Sequence, residues 1–171
     1  MSTALMSQSN AFEDLMPIRS NSWQDAPVLV LADGRCSTDF DAAYFRSRNI
    51  NCWYVVYAGT SDFYVKINDL VPWSQSIGRA ITGPDAGYTI PQDLWVMGLH
   101  NRDPNVAFRK SMTLYRVSCS RNVGKFTTLK RIQYNAAGNI TRDLNYPRLP
   151  LKVAAPGSPQ ESIVLASCNN S

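Results

Sequence analysis

The stretch PGSPQESIVLASC, residues 156–168, predicts a short helix with a well-defined start. Ser158 is a strong N-cap, Pro159 suits the first helical position, and Glu161 completes a capping box. In this motif the Ser158 hydroxyl accepts a hydrogen bond from the Glu161 amide, and the Glu161 carboxylate accepts one from the Ser158 amide. A helix of about ten residues does not persist alone. This helix must therefore pack against the rest of the domain.

The apolar side of this helix is expected to include Val164, Leu165 and Cys168. Residues three and four positions apart lie on the same side of a helix, so Cys168 shares a face with the other two. We therefore expect Cys168 to point toward the domain interior.

Upstream of the helix, β-branched and aromatic runs alternate with turn residues, which is typical of antiparallel strands. The runs CWYVVYA and DFYVKI, joined by Gly59-Thr60-Ser61, predict a hairpin. The connection NAAG predicts a second hairpin turn with Gly138 at positive φ. The other strand candidates are DLWVMGL, MTLYRVSC, FTTLKRIQY and the return strand Ile140–Leu144, with a shorter one at Val28–Leu31.

Two more helices are expected, one over residues 37–46 with Asp39 and Asp41 as capping residues, and one over residues 72–81. Residues 82–91 contain two glycines and two prolines and predict a loop. Together these elements indicate an α+β fold: a small antiparallel sheet of about five to six strands, packed by the C-terminal helix, with an irregular N-terminal extension.

We expect two parts in the chain: an N-terminal arm, residues 1–27, and a single domain, residues 28–171. The arm is polar and has no sustained periodicity. It is either flexible or docks on a partner protein. Four of its apolar residues are the candidate partner-binding residues. They are Phe12, Leu15, Met16 and Trp23.

The composition favours one domain with a sizeable core, because 44% of the 171 residues are hydrophobic and 18% are charged. The net charge of +4 is too small for a dedicated nucleic-acid binder. No apolar run approaches the roughly 20 residues of a membrane-spanning helix. We therefore expect no transmembrane segment.

The motifs of common enzyme classes are missing, so we expect no catalytic activity. The sequence contains neither a G-x-S-x-G nucleophile elbow nor a glycine-rich phosphate loop. His100 is the only histidine, and it follows a strand within GLHNRDPN, which predicts an exposed turn. It is the one candidate ligand-binding residue, with haem as the possible ligand. No cofactor or metal is otherwise expected, since C-x-x-C pairs are missing.

Basic residues gather in the second half of the chain, interleaved with Tyr115, Phe126 and Tyr134. Such a pattern on a sheet can bind single-stranded nucleic acid, but cations also keep the solvent face of a sheet soluble. We favour the second interpretation and expect no specific nucleic-acid partner. The basic residues are Arg109, Lys110, Arg116, Arg121, Lys125, Lys130 and Arg131.

Four cysteines, Cys36, Cys52, Cys119 and Cys168, allow three disulfide pairings, and their even number favours an oxidising compartment. The first 21 residues lack the basic and then apolar pattern of a signal peptide. Export is therefore predicted from the cysteines and not from a visible leader.

Residues 52–168 resemble the bacterial surface-adhesin protein E family. The similarity lies in WYVVYAGTSDFYVKINDL, DLWVMGL, LYRVSC, QYNAAGNI and PGSPQESIVLASC. The resemblance implies an antiparallel sheet packed by a C-terminal helix, with Cys119 and Cys168 matching the family's disulfide. That bridge would close a loop of about 50 residues and stabilise the fold by roughly 4 kcal/mol. Pairing of Cys36 with Cys52 then follows by elimination.

The resemblance also implies export to the periplasm or cell surface and noncatalytic binding, since namesake members bind host matrix proteins and haem. We therefore expect a binding domain of the bacterial cell envelope. The alternatives are an accessory structural subunit that docks through its N-terminal arm, and a haem binder.

Overall fold

The structure is a computed structural model that describes residues 28–70, 82–84, 86–120 and 123–168. The N-terminal arm, with its candidate residues Phe12, Leu15, Met16 and Trp23, lies outside the described residues. So does the helix expected over residues 72–81.

The described residues form an antiparallel sheet in the order β1-β2-β3-β4-β5-β6, with β7 pairing with β5. This arrangement confirms the α+β prediction, and the short β7 raises the number of strands to seven. The strands are β1 Trp53–Tyr57, β2 Asp62–Lys66, β3 Gln92–Leu99, β4 Lys110–Ser120, β5 Val123–Tyr134, β6 Ile140–Asn145 and β7 Lys152–Val153. The α-helices are α1 Ala42–Ser47 and α2 Pro159–Cys168, and a 3₁₀ turn covers Ile67–Asp69.

Both predicted hairpins are confirmed. β1 and β2 pair across the turn that contains Gly59. Gly138 has a φ of 83°, and the Asn135 side chain accepts hydrogen bonds at 3.0 Å from the Ala137 and Asn139 amides. A local side-chain contact of this kind stabilises a turn without help from the rest of the fold. By contrast, the strand expected at Val28–Leu31 is reduced to an isolated bridge at residue 30.

One face of the sheet, the inner face, packs against α2 and holds the hydrophobic core. Val65, Val96 and Val117 are each less than 5% exposed, and Ile163 and Val164 of α2 belong to the same buried cluster. Phe45 of α1 is fully buried in it as well. Both helices of the described chain therefore contribute to this single layer of packing.

The start of α2 follows the capping box with one difference. The Glu161 amide donates to the Ser158 hydroxyl at 3.2 Å, as predicted. The Glu161 carboxylate, however, accepts from the Gly157 amide at 2.6 Å, whereas the Ser158 amide donates to the Ala155 carbonyl at 3.2 Å. The Ser158 amide thus already has an acceptor, the Ala155 carbonyl, so the Glu161 carboxylate accepts from the amide of the preceding residue, Gly157.

The predicted apolar side of α2 is right for Val164 and Cys168 and wrong for Leu165, which is 37% exposed. Ile163 is buried in its place, at 1% exposure. At 100° per residue, the arc that packs on the sheet runs from Ile163 through Val164 to Cys168, and Leu165 lies beyond its edge.

α1 begins later than predicted, because Asp41 is its N-cap and accepts from the Tyr44 amide at 2.7 Å. Two disulfides tie the ends of the described chain to the sheet. Cys36 is bonded to Cys52 beside β1, and Cys119 of β4 is bonded to Cys168 of α2. Both predicted pairings are confirmed.

Candidate binding surface

The face of the sheet opposite α2, here called the outer face, carries a row of mostly apolar side chains across six strands. Directly paired residues lie on the same face of a sheet. The register links Val55 to Tyr64, Tyr64 to Met97, Met97 to Met112, Met112 to Ile132, and Ile132 to Asp143.

A second row on the outer face adds aromatic and aliphatic surface. Trp95 of β3 pairs with Leu114 of β4, which pairs with Lys130 of β5. At the β1 edge, Trp53 pairs with Lys66. The outer face therefore presents tryptophan, methionine, leucine and isoleucine where an antiparallel sheet with one solvated face usually carries polar residues.

Within the part of the chain that the structure describes, no helix packs on the outer face, since α1 and α2 both belong to the inner-face core. Tyr64 and Met97 at its centre are only 6% exposed, and Trp95, Met112 and Leu114 beside them are half-buried. The Arg35 side chain lies over the Tyr64 ring and donates to its hydroxyl at 3.2 Å, so it covers part of this row. Apart from Met97, the remaining apolar side chains of the outer face are partly exposed.

Charged residues surround this apolar surface. The Arg116 guanidinium donates to both carboxylate oxygens of Asp93, at 2.7 and 2.9 Å. The Lys130 ammonium lies 3.2 Å from the Asp143 carboxylate. Pairing with Asp93 raises the pKa of Arg116. These two cations are therefore held by acidic residues of the same face.

Two other cations of the rim contact aromatic rings. The Lys66 ammonium lies 4.9 Å from the centre of the Trp53 ring, and the Lys110 ammonium lies 5.4 Å from that of Tyr134. A lysine over an aromatic face keeps its charge available to a further ligand, because the ring supplies no formal negative charge.

The nucleic-acid surface considered for the second half of the chain is only partly assembled on one face. The register places Lys110, Arg116, Lys125, Lys130 and Tyr134 on the outer face. Tyr115 and Phe126 are buried on the inner face, at 3% and 6% exposure, and their rings contact each other. Arg131 also lies on the inner face, where its Nε donates to Thr113. Arg121 lies outside the described residues.

His100 does not lie on an exposed turn, and that prediction was wrong. The side chain is 5% exposed, between the rings of Phe63 and Phe108. The His100 amide donates to the Arg109 carbonyl at 2.8 Å, so the loop folds back and covers the imidazole.

Both imidazole nitrogens of His100 already have partners. Nδ1 lies 2.8 Å from the Ser61 hydroxyl, and Nε2 lies 2.8 Å from the Ser111 hydroxyl. Donation of the Ser61 proton to Asp103, at 3.3 Å, is compatible with the tautomer in which Nδ1 donates to Ser61 and Nε2 accepts from Ser111. A haem iron could be ligated by His100 only after one of these contacts is broken.

Burial lowers the pKa of His100, the positive charges of Arg131 and Arg109 lower it further, and Asp103 acts in the opposite direction. The arrangement differs from a hydrolase triad, in which the carboxylate contacts the imidazole and the serine is accessible. Here the carboxylate contacts Ser61 instead, and both serines are buried. The cluster joins β2, the end of β3 and the start of β4.

The described residues contain no group of three or more histidine, cysteine or acidic side chains arranged to hold a metal ion. None of the helices in the described part of the chain combines the length and apolar character that a bilayer span requires. No family model, curated protein or solved structure matches this chain. The similarity to the surface-adhesin protein E family therefore stays a prediction.

The outer face is the surface that the sequence interpretation missed. A signal for it exists in β4, where Met112 and Leu114 alternate with the inner-face residues Tyr115 and Val117. When both the odd-numbered and the even-numbered positions of a strand are apolar, both faces of the sheet are expected to be buried there. The bulge that shifts the register between Leu114 and Tyr115 obscures this pattern in the paired strand β5.

Proposed function

We propose that this protein is a noncatalytic binding domain of the bacterial cell envelope and that its outer face binds a partner protein. The observation that carries the proposal is the row of apolar side chains from Val55 to Ile132, which no described helix covers. An extended apolar surface with a polar rim is typical of a protein interaction site.

The rim suggests the chemistry of the partner. Lys66 and Lys110 contact aromatic rings, and Lys66 also interacts electrostatically with Asp69. Lys110 in particular has a charge available to an acidic side chain of the partner. A partner surface with an apolar centre and carboxylates at its edge complements this face. A second copy of the same chain is less suitable, because it would bring two cationic rims together.

The two disulfides support the location outside the cytoplasm, since such bonds persist in oxidising compartments. Thiol trapping in intact cells tests this part of the proposal. The denatured, unreduced protein is expected to contain no thiol that a maleimide labels. Labelling of all four cysteines would contradict an envelope location.

The binding role is tested with the matched substitutions Leu114→Glu and Leu165→Glu. Leu114 is half-buried on the outer face, whereas Leu165 is exposed on the solvent side of α2. A photo-crosslinking residue in place of Met112 first captures the partner in intact cells, and the purified partner is then titrated by calorimetry. We expect Leu114→Glu to weaken binding at least about tenfold, because burial of a leucine contributes about 1.5–3 kcal/mol.

The Leu165→Glu variant should bind like the wild type, and circular dichroism should show that both variants are folded. Equal affinity of the Leu114→Glu variant and the wild type would refute an outer-face interaction. Loss of binding only on deletion of residues 1–27 would instead support the accessory subunit that docks through its arm.

A further inference from the structure

A groove on the other side of the molecule forms a second candidate site. It lies between β5, the segment of residues 146–153 and the start of α2, and its volume is about 570 Å³. A volume of this size is within the range of ligand pockets in proteins. Its apolar walls include Leu149 and Val153, which are 58% and 60% exposed.

The charges that line this groove are all positive. Arg131 and Lys152 are the two charged side chains of the lining, and no carboxylate accompanies them. Arg131 donates from Nε to the Thr113 hydroxyl at 3.3 Å, and none of the ion pairs among the described residues involves it. The Lys152 ammonium lies 5.7 Å from the centre of the Phe126 ring. The groove is therefore complementary to an anion.

The backbone positions of the two cations are separated along β5. Lys152 pairs with Phe126, and Arg131 follows Phe126 by five residues on β5, with Leu129 taken up by a bulge. Four extended steps correspond to about 13 Å between the two positions. Two carboxylates at opposite ends of an extended chain of similar length match this backbone spacing.

Polar side chains also line the groove, including Thr128 and Gln160. An extended peptide has backbone groups that match such donors and acceptors along its whole length, which a hydrocarbon chain lacks. We propose that this groove binds an extended acidic peptide whose two carboxylates stand four residues apart, one at Arg131 and the other at Lys152. This site is separate from the outer face.

The test uses the synthetic peptide acetyl-Glu-Ala-Leu-Ala-Glu-amide and its isomer acetyl-Glu-Glu-Ala-Leu-Ala-amide, which has the same composition and charge. Binding to the full chain is followed by NMR through the amide shifts of Thr128, Ser158 and Gln160. We expect saturable shifts at these residues with the first peptide and at least threefold weaker binding of the isomer. Equal binding of the two peptides would overturn the spacing and with it the proposal.

Lys152→Gln and Arg131→Gln should each weaken binding about fivefold, as expected for the loss of one partly exposed ion pair. Lys66→Gln removes the same charge from the outer face and is the matched control. An equal loss in this control would show nonspecific attraction and overturn the site. Lys152 is exposed, so its substitution tests the groove even if Arg131→Gln disturbs folding. Leu114→Glu should leave peptide binding unchanged, which separates this proposal from the outer-face interaction.

Discussion

Replacing Gly124 by alanine is expected to destabilise the protein, although Gly124 lies within strand β5. In an ordinary strand this change stabilises the fold by about 0.4–1 kcal/mol, because alanine restricts the unfolded chain. Here α2 lies directly over Gly124. An added Cβ would overlap Val164 Cγ1 and would come within 2.7 Å of Cys168 Sγ.

The magnitude follows from this close approach. Ordinary contact begins at 3.4 Å, so the Cys168 sulfur alone must move by about 0.7 Å, and Val164 must move further. Cys168 is bonded to Cys119 of β4 and cannot move freely. We take the upper end of the cost of overpacking, about 3 kcal/mol. Subtracting the gain in the unfolded state leaves a loss of about 2 kcal/mol, or about 6 °C in Tm.

Urea denaturation of the wild type, Gly124→Ala, Val164→Ala and the double variant measures this effect. The two substitutions should be coupled, so that the double variant is at least about 1 kcal/mol more stable than the sum of the single losses predicts. A Gly124→Ala protein as stable as the wild type, or more stable, would refute the close packing of α2 on β5.

Three further outcomes are expected. Replacing Cys119 and Cys168 by alanine should lower the free energy of unfolding, measured by urea denaturation, by about 4 kcal/mol, and replacing Cys36 and Cys52 should lower it by about 3 kcal/mol. The difference arises because the two disulfides span sequence separations of 49 and 16 residues, and the longer loop restricts the unfolded chain more. Equal losses would contradict this ranking. The pKa of His100 is lowered in the folded protein, so as the pH falls the unfolded chain binds a proton at this histidine before the folded protein does. The free energy of unfolding is therefore fully present above about pH 6.5. Below that pH it falls by up to about 1.4 kcal/mol per pH unit. His100→Gln should remove this decline between pH 5 and 6.5, as thermal melts at several pH values will show; an unchanged profile would assign the decline to other groups.

The elements that local chemistry determines were predictable from the sequence. The Ser158 cap, the Asp41 cap and the turn at Gly138 depend on contacts between residues at most four apart in the chain. Such contacts form in the same way whatever the rest of the fold does. The pairing of Cys119 with Cys168 was predicted from a family resemblance, and the structure confirms it.

The surroundings of His100 were not predictable in this way. A histidine after a strand in a segment rich in polar residues usually lies on an exposed turn. The loop instead returns to β4, and Phe63 from a distant strand completes the cover. Burial here depends on Phe108 in the returning loop and on Phe63, which is 37 positions away, and no local pattern of the sequence reports the contact with Phe63.

By itself, the sequence determined where the strands, turns and helix caps lie, because propensity and capping act over a few residues. Only the tertiary structure decided which side of each strand faces α2. The alternation of side chains is the same for both faces, and the order of pairing and the bulge at Leu129 select one of them. The helix covers the inner face, so the row from Val55 to Ile132 remains as the outer face. Which face stays uncovered by a described helix is thus a consequence of where α2 is bonded, through Cys168, to β4.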